Sequence, residues 1–279
     1  MLYSFTRNVR RGFLPSLSSS SARYFAFFAA LGLASIVVYS FGLMLVYLAP
    51  LRSHALKTIV PLRDDELPRN RSSWAVDSPE RGSYPIPAIL HQVSIYDDPK
   101  HSIPEAWSPA VISCKALHPD YQYMLWNKSN SRGFLKKNFA WFLPTWDAYA
   151  ENIYRADAIR YFALYAYGGI YLDLDVGCNR RIDFLRRFPA VFPETIPIGY
   201  SNSMMMTQPK HPLFLQMIHE LPRWRLHLPV RYANVMFSAG PMFLSCQIAV
   251  YRELWDTLEH LRKSASLTGS YESDNLPFR

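Results

Sequence analysis

Cysteine is scarce in this chain of 279 residues, which contains only Cys114, Cys178 and Cys246. No two of them stand in a C-x-x-C pair, and this excludes a zinc knuckle or a zinc ribbon. One disulfide is compatible with three cysteines and would leave one free thiol. Internal repeats are absent as well, which excludes solenoid and propeller architectures.

Acidic residues are missing from the N-terminal leader, where Arg7, Arg10, Arg11 and Arg23 supply half of the net charge of +8. The other basic residues do not interleave with aromatic residues as they do on a nucleic-acid-binding surface. The hydrophobic fraction of 49% excludes a disordered chain and permits a large core. We therefore predict a folded protein without a nucleic-acid partner.

Charge of either sign is absent between Arg23 and Arg52, and residues 24–49 are almost wholly apolar. A helix of this length crosses the ~30 Å hydrocarbon core of a bilayer, because it rises about 1.5 Å per residue. A cleavable signal peptide has a shorter apolar region, of about 7–15 residues, and a transit peptide is amphipathic. We predict a transmembrane anchor over 24–49.

The distribution of positive charge predicts the orientation of this anchor. Four arginines precede the span, and Arg52, Lys57 and Arg63 follow it closely. The positive-inside rule then favours a cytosolic N-terminus, with the rest of the chain in a lumen or outside the cell. Glycosylation acceptor triplets begin at Asn70 and Asn127 and suit such a compartment.

The remainder of the chain predicts an α/β fold. Apolar or alternating strands at 86–93, 121–126 and 170–172 are separated by helical segments, of which 153–167 is the clearest because Gly168-Gly169 ends it. Further strands are predicted at 198–200 and 204–206, and further helices at 104–117, 131–139, 212–221 and 241–260. This alternation predicts a mostly parallel sheet flanked by helices.

Changes in composition predict where the segments of the chain begin and end. Five prolines among charged and small residues indicate that 50–85 is a stem without a core of its own. The predicted order is a tail over 1–23, the anchor over 24–49, the stem over 50–85, the main folded domain over 86–263 and a loose tail over 264–279.

Two carboxylates follow the predicted strand at 170–172 and are the first candidates for chemistry. If Asp173 and Asp175 continue the strand, both side chains point to the same side. Oxygen ligands suit Mg²⁺ or Mn²⁺, which could bridge two phosphates and neutralise a leaving diphosphate. A D-x-D triplet alone also occurs by chance, and a solvated pair balanced by Arg180 and Arg181 is the alternative.

The helix before this strand adds a second pair. Asp157 and Arg160 lie three residues apart and therefore share one face of the helix. A helix that leads through Gly168-Gly169 into a strand carries that face near the carboxyl end of the strand, where α/β folds bind ligands. A surface ion pair is the alternative for these two residues.

Longer motifs around these residues carry a family resemblance. The chain reads R-A-D-A-I-R-Y over 155–161 and Y-G-G-I-Y-L-D-L-D over 167–175, with His118-Pro119-Asp120-Tyr121 before them and Gly240-Pro241 after them. Over roughly 86–251, this order resembles the D-x-D glycosyltransferases of family 32. Among its members, the chain is most similar to the fungal mannosylinositol phosphorylceramide synthases.

The resemblance implies a GT-A-like fold and assigns site residues by position. The implied catalytic residues are Asp157, Arg160, Asp173 and Asp175, of which Asp173 and Asp175 would hold the metal. The implied donor-binding residues are His91, Trp126, Asp157, Arg160, Asp173, Asn202, His211 and Gly240. His91 and Trp126 would line the nucleotide pocket, although Trp126 is equally compatible with the core. For Asn202, His211 and Gly240, ordinary roles in a turn, on the surface and at a helix start are the alternatives.

The resemblance also implies a function. It is the transfer of mannose from GDP-mannose to inositol phosphorylceramide in the Golgi membrane, with Mn²⁺ or Mg²⁺ and with retention of configuration. A regulatory membrane subunit is an implied further partner. Similar proteins commonly continue past the Gly-Pro helix into a segment with His and Trp, and 264–279 contains neither. The alternatives are therefore a glycan-directed mannosyl- or other hexosyltransferase and a catalytically inactive scaffold of the same fold.

Overall fold

The structure, a computed structural model, describes residues 19–48, 84–95, 103–196, 199–226 and 230–267. The chain divides into two compact units, residues 1–46 and residues 47–279. The predicted cytosolic tail up to residue 18, most of the predicted stem and the end of the predicted loose tail lie outside the described residues.

The described elements alternate between helices and strands. The helices are α1 (Ser19–Leu48), α2 (Ser108–Leu117), α3 (Lys128–Asn138), α4 (Leu143–Asp147), α5 (Asn152–Tyr167), α6 (Pro212–Glu220), α7 (Arg231–Ser238) and α8 (Pro241–Leu267). The strands are β1 (Ile89–Val93), β2 (Gln122–Trp126), β3 (Gly169–Leu172), β4 (Ala190–Val191) and β5 (Met204–Thr207). Short 3-10 helices occupy Glu105–Trp107, Ala140–Phe142 and Asp183–Arg187.

Most predicted elements are confirmed, with shifts at their ends. The strand predicted at 198–200 is wrong within the described residues, because Tyr200 forms only a single bridge with Glu194. Helix α8 extends through Leu267, so the first residues of the predicted loose tail are helical. The short helices α4 and α7 and the edge strand β4 have no counterpart among the predictions.

The five strands form one sheet in the order β2-β1-β3-β5-β4. Strand β1 runs parallel to β2 and to β3, whereas β5 runs antiparallel to β3 and to β4. The sheet is therefore mixed, with β1, β2, β3 and β4 running in one direction and β5 in the other, which confirms the prediction of a mostly parallel sheet. Between β3 and β5 the described chain forms a 3-10 helix instead of an α-helical crossover, and β5 starts at the end of the sheet where β3 stops.

Helix α5 packs on β1 and β3 on one side and on α6 on the other. Its core residues Ile159, Phe162 and Leu164 are fully buried. The helix ends at Gly168, where φ is +63°, and Gly169 follows with φ of +98°. A Cβ at Gly168 would lie 2.6 Å from the backbone nitrogen of Pro209, so the turn from α5 into β3 requires glycine.

A disulfide joins Cys114 in α2 to Cys178 in the loop after β3, and Cys246 is buried and is not part of a disulfide. The backbone N–H of Cys178 also donates to Ser113 Oγ at 3.0 Å. This resolves the pairing that the sequence left open. It also fastens the loop that follows the D-x-D triplet to α2.

Helix α1 is apolar and belongs largely to the first compact unit. Its described side chains are exposed on every side, as for Phe25 (76%) and Val38 (70%). An all-round apolar helix is typical of a core or of a membrane span. Among the described residues, only Arg231–Leu261 is long and apolar enough to cross a membrane, and 61% of its apolar stretch is buried in the protein. The described apolar part of α1, Arg23–Tyr39, is shorter, so the anchor over 24–49 stays a prediction.

Candidate active site

Asp173 lies directly after β3 and is held by several neighbours. Its Oδ1 accepts a hydrogen bond from the Tyr171 hydroxyl at 2.5 Å. Its backbone N–H donates to the carbonyl of Ser203 at 2.8 Å, and its own carbonyl accepts from Gln92 Nε2 at 3.4 Å. The side chain remains 30% exposed. Asp173 is therefore a fixed carboxylate at the border between the core and solvent.

Arg160 joins the helix to the strand end. Its Nη1 lies 3.2 Å from Asp173 Oδ1 and donates to the carbonyl of Asn202 at 2.7 Å. Its Nη2 lies 2.7 Å from Asp157 Oδ1, and its Nε donates to the carbonyl of Ala156 at 3.3 Å. The guanidinium therefore contacts two carboxylates and two backbone carbonyls. Its side chain is only 5% exposed, so the alternative of a surface ion pair is wrong.

Asp157 completes this group from the buried face of α5. Besides Arg160, its Oδ1 accepts from Asn202 Nδ2 at 3.2 Å. Burial raises the pKa of Asp157 to about 6, and the charge of Arg160 only partly offsets that effect. Burial lowers the pKa of Arg160, but the negative charges of Asp173 and Asp157 outweigh it and raise the pKa. The structure thus brings Asp157, Arg160, Asp173 and Asn202 into one buried network.

Asp175 differs from Asp173 in its surroundings. The expectation that the triplet continues the strand is wrong, because the chain turns after Asp173, and the Val176 N–H donates to the Asp173 carbonyl at 3.1 Å. Asp175 lies in this turn and is exposed. The spacing of two acids does not reveal this turn.

A metal at this position would have few protein ligands. Within the described ranges, no group of three or more His, Cys, Asp or Glu side chains comes close enough to hold an ion. Mg²⁺ and related hard cations commonly bind through one or two carboxylates and take their remaining ligands from phosphates and water. The exposed carboxylate of Asp175 fits that pattern, with Asp173 beside it in sequence.

His91 and Trp126 are buried core residues in the structure, and their assignment to the nucleotide pocket stays a prediction. His91 Nε2 binds the carbonyl of Gly168 at 2.9 Å, and its Nδ1 accepts from the Trp126 indole N–H at 3.1 Å. Burial lowers the pKa of His91 to about 4, so the ring is neutral. With both nitrogens engaged and no exposed surface, His91 fastens β1 to the end of α5.

His211 also lies away from the network. Its Nδ1 accepts from the Leu213 N–H at 3.2 Å and caps α6. It follows Pro209, which contacts Gly168 at the start of β3, whereas Asp173 lies past the other end of that strand. The described hydrogen bond of His211 is that of a helix cap, and its assignment to the sugar side stays a prediction. Burial lowers its pKa to about 4.

Gly240 has a steric role. A Cβ there would lie 2.7 Å from the Val235 carbonyl, so the tight turn between α7 and α8 needs glycine. The neighbouring Ala239 carbonyl accepts from the Tyr161 hydroxyl at 2.8 Å. Because Tyr161 follows Arg160, this bond ties the α7–α8 turn to the site helix. Gly240 shapes the turn, and its assignment to the donor site stays a prediction.

Sequence reasoning missed Tyr171 as a supporting residue. Its ring lies under the Arg160 guanidinium, 4.5 Å from Cζ to the centroid, and its hydroxyl holds Asp173. Burial raises the pKa of Tyr171 well above its ordinary value, so it donates as a neutral phenol. The available signal was its position two residues before Asp173 in an extended segment.

Comparison with known proteins agrees with this geometry. Residues 104–192, which include Asp157, Arg160, Asp173 and Asp175, match the family model described as a glycosyltransferase sugar-binding region containing a DXD motif. In structure, the chain is similar to a "PaToxG Glycosyltransferase", with 20% identity and a TM-score of 0.43 over 66% of this chain and 76% of that one. That similarity is too low to define the fold, which rests on the strand order.

Similar sequences carry more specific names. The chain is 47% identical over 171 residues to inositol phosphoceramide mannosyltransferase 3 of Schizosaccharomyces pombe, covering 61% of this chain and 47% of that protein. It is 39% identical over 230 residues to mannosyl phosphorylinositol ceramide synthase CSH1 of Saccharomyces cerevisiae, covering 82% and 58%. The chain thus spans about half the length of the curated relatives that it matches.

Proposed function

We propose, from the premise that residues 104–192 form the sugar-binding region of a DXD glycosyltransferase, that this chain transfers mannose from GDP-mannose to inositol phosphorylceramide. The observation that carries the proposal is the 47% identity to a named inositol phosphoceramide mannosyltransferase. The buried network of Asp157, Arg160, Asp173 and Asn202 supports it. We also propose a GT-A-like arrangement for the α/β domain.

Each side chain of the network has a distinct role in this proposal. Asp157 is the acceptor for hydroxyl groups of the hexose, because a carboxylate accepts hydrogen bonds through both oxygens. Arg160 holds Asp157 and Asp173 at a fixed separation, since it contacts both. Asp173 accepts from the ribose or the hexose at the border of the core. Asn202 orients Asp157 and Arg160 together.

Asp175, with Asp173 beside it, would hold the divalent cation, Mn²⁺ or Mg²⁺. When bound, such an ion neutralises the charge of the departing diphosphate. We propose that the configuration is retained. The bond from the anomeric carbon to the diphosphate oxygen breaks, an acceptor hydroxyl bonds to that carbon on the same face, and the departing phosphate takes the hydroxyl proton. Asp157 and Arg160 keep the hexose in place meanwhile.

We further propose a place for the protein in the Golgi membrane, with the anchor at 24–49, the stem at 50–85 and the catalytic domain at 86–263 in the lumen. The all-round apolar helix α1 and the Cys114–Cys178 disulfide support this, because disulfides persist in oxidising compartments. Protease treatment of sealed microsomes should leave the domain after Arg52 intact, and its digestion from outside would reverse the topology.

The function is tested with the full-length chain in detergent. GDP-mannose, GDP-fucose, UDP-glucose and UDP-galactose are each supplied with Mn²⁺ and inositol phosphorylceramide, and both nucleotide release and the glycosylated lipid are measured. We expect product from GDP-mannose alone, and none from the variant Asp175→Ala. Product only on a glycan acceptor would favour the glycan-directed alternative. No turnover of any donor would favour an inactive scaffold.

A further inference from the structure

One buried tyrosine hydroxyl, shortly before the site helix α5, has no hydrogen-bond partner within the described part of the chain. Tyr149 precedes α5 and is only 3% exposed, yet its hydroxyl makes no hydrogen bond to any group in the described part of the chain. A buried polar group without a partner costs folding free energy, and such groups are rare in native proteins. The other tyrosine hydroxyls of the network, on Tyr161 and Tyr171, do donate to protein acceptors.

The position of Tyr149 is tightly set. The Arg155 Nη2 donates to the Tyr149 carbonyl at 2.5 Å, and Arg155 Nε donates to the Trp146 carbonyl at 3.2 Å. The ring stacks on Tyr154, with centroids 5.7 Å apart and planes 17° apart. Tyr154 and Asp157 are three residues apart on α5 and therefore lie on one face of the helix. Tyr149 thus packs against the face that carries Asp157.

Electrostatics agree with this placement. Burial raises the pKa of Tyr149, the negative charge of Asp157 raises it further, and Arg225 and Arg155 oppose them. The phenol is therefore protonated and able to donate. The Oδ1 of Asp157 already accepts from Arg160 and Asn202.

We propose that Tyr149 binds the hexose of the donor, and that its hydroxyl lacks a protein partner because a sugar hydroxyl supplies one. A phenol and a carboxylate can together bind one sugar hydroxyl in both directions. Tyr149 donates to the sugar oxygen, and the hydrogen of that oxygen goes to Asp157. The inference rests on the proposed transferase function and names a contact to the sugar, separate from contacts to the nucleotide.

The variant Tyr149→Phe tests it in the full-length protein with Mn²⁺. Without ligand, the thermal midpoint should stay equal or rise, because the unpartnered hydroxyl is gone. The stabilisation by GDP should be unchanged, while the additional stabilisation by GDP-mannose over GDP should disappear. The donor KM should rise about fivefold or more, as expected for one lost hydrogen bond to the ligand.

Two tyrosines serve as matched controls. Tyr154→Phe alters the stacking partner and should leave the midpoints and the donor KM unchanged. Tyr121→Phe removes a hydroxyl that donates to Asp183 at 2.8 Å, so it should lower the midpoint and leave the GDP-mannose effect intact.

The outcomes are distinguishable. A lowered midpoint for ligand-free Tyr149→Phe, like that of Tyr121→Phe, would show that the hydroxyl is already satisfied and would overturn the inference. Equal stabilisation of Tyr149→Phe and the wild type by GDP-mannose would overturn it as well, and would leave the transferase proposal standing. If no nucleotide sugar stabilises the wild type, both proposals fall.

Discussion

Arg160 and Asp173 face each other with Nη1 and Oδ1 3.2 Å apart, where the buried face of α5 meets the end of β3. The same guanidinium holds Asp157 at 2.7 Å. Asp173 is consequently part of the folded framework, whereas Asp175, exposed in the next turn, has no such restraint in the structure. The two acids of the D-x-D triplet should therefore respond differently to substitution.

Asp175→Ala should abolish turnover at any Mn²⁺ concentration and leave the thermal midpoint within about 1 °C of the wild type, because an exposed side chain away from special features contributes little to stability. Asp173→Ala should also abolish turnover, but it should lower the free energy of unfolding by about 2–4 kcal/mol, since it removes a partner of a buried arginine. Calorimetry and donor kinetics on both variants make the comparison. Near-normal activity of Asp175→Ala at saturating Mn²⁺ would falsify its assignment to the metal.

Arg160→Lys should lower kcat/KM for the donor at least about tenfold, or about 1.4 kcal/mol of transition-state stabilisation. Lysine keeps the charge, but one ammonium cannot reach the separate acceptors that the planar guanidinium contacts. Stability should fall by about 2 kcal/mol or more, because the site is buried.

The matched control for this change is Arg132→Lys. Arg132 forms a comparable two-point pair with Asp147, at 2.8 and 2.9 Å, but its side chain is 48% exposed. We expect a stability loss below about 1 kcal/mol and unchanged kinetics. If Arg160→Lys lowers the midpoint without altering the kinetics, the network is structural only.

Asp157 should make both activity and stability depend on pH. Its pKa in the folded protein is raised to about 6 by burial, above that of an unfolded chain. The folded state therefore binds this proton more tightly, so the resulting stabilisation is full below about pH 4 and is lost as pH rises through about 6. Binding of the donor should have the opposite pH dependence, because it is the carboxylate form of Asp157 that accepts hydrogen bonds from the sugar.

We expect kcat/KM for the donor to fall as pH drops below about 6, and we expect Asp157→Asn to lack this acid limb at a lower overall rate. Rates measured from pH 4.5 to 8, with thermal midpoints at each pH, test both parts. An acid limb that persists in Asp157→Asn would assign the titration to another group.

The Cys114–Cys178 disulfide should matter for metal use as well as for stability. Replacing both cysteines with serine should cost about 2–4 kcal/mol and raise the Mn²⁺ concentration needed for half-maximal activity, because the loop after Asp175 loses its tether. Cys246→Ala is the control, since that cysteine is not part of a disulfide, and it should keep the wild-type response to a reducing agent. An unchanged Mn²⁺ requirement would limit the disulfide to a stabilising role.

Trp126→Phe tests whether Trp126 serves the core alone or also lines the nucleotide pocket. The change removes the indole N–H that donates to His91 at 3.1 Å and should cost about 1 kcal/mol. The KM for GDP-mannose should stay unchanged. A several-fold rise in KM would return Trp126 to the donor site.

The sequence predicted the helix α5, its glycine stop and the following strand because these depend on local preferences. It also predicted that Asp157 and Arg160 share a helical face, and the structure brings that face to Asp173. It could not predict that the chain turns at Asp173, since that turn depends on the β5 side of the sheet, where Ser203 accepts from the Asp173 N–H.

The contacts of His91 could not be predicted from the sequence for a different reason. A histidine in an apolar strand is compatible with a ligand contact or with a core hydrogen bond, and the choice depends on distant groups. Here the acceptor at Gly168 and the donor at Trp126 come from other elements, so no local pattern around His91 contains them. The antiparallel direction of β5 could not be predicted either, because a short apolar run carries no information on strand direction.

The Gly168-Gly169 turn fixes the helix that carries Arg160 relative to the strand that leads to Asp173. Both glycines have positive φ, and backbone atoms of Pro209 and Ile89 fill the space where their side chains would stand. One residue inserted in β3 would reverse which side of the sheet each following side chain faces and would turn Asp173 away from Arg160. We therefore expect insertions and deletions to be excluded from this segment and to be tolerated only after the D-x-D turn.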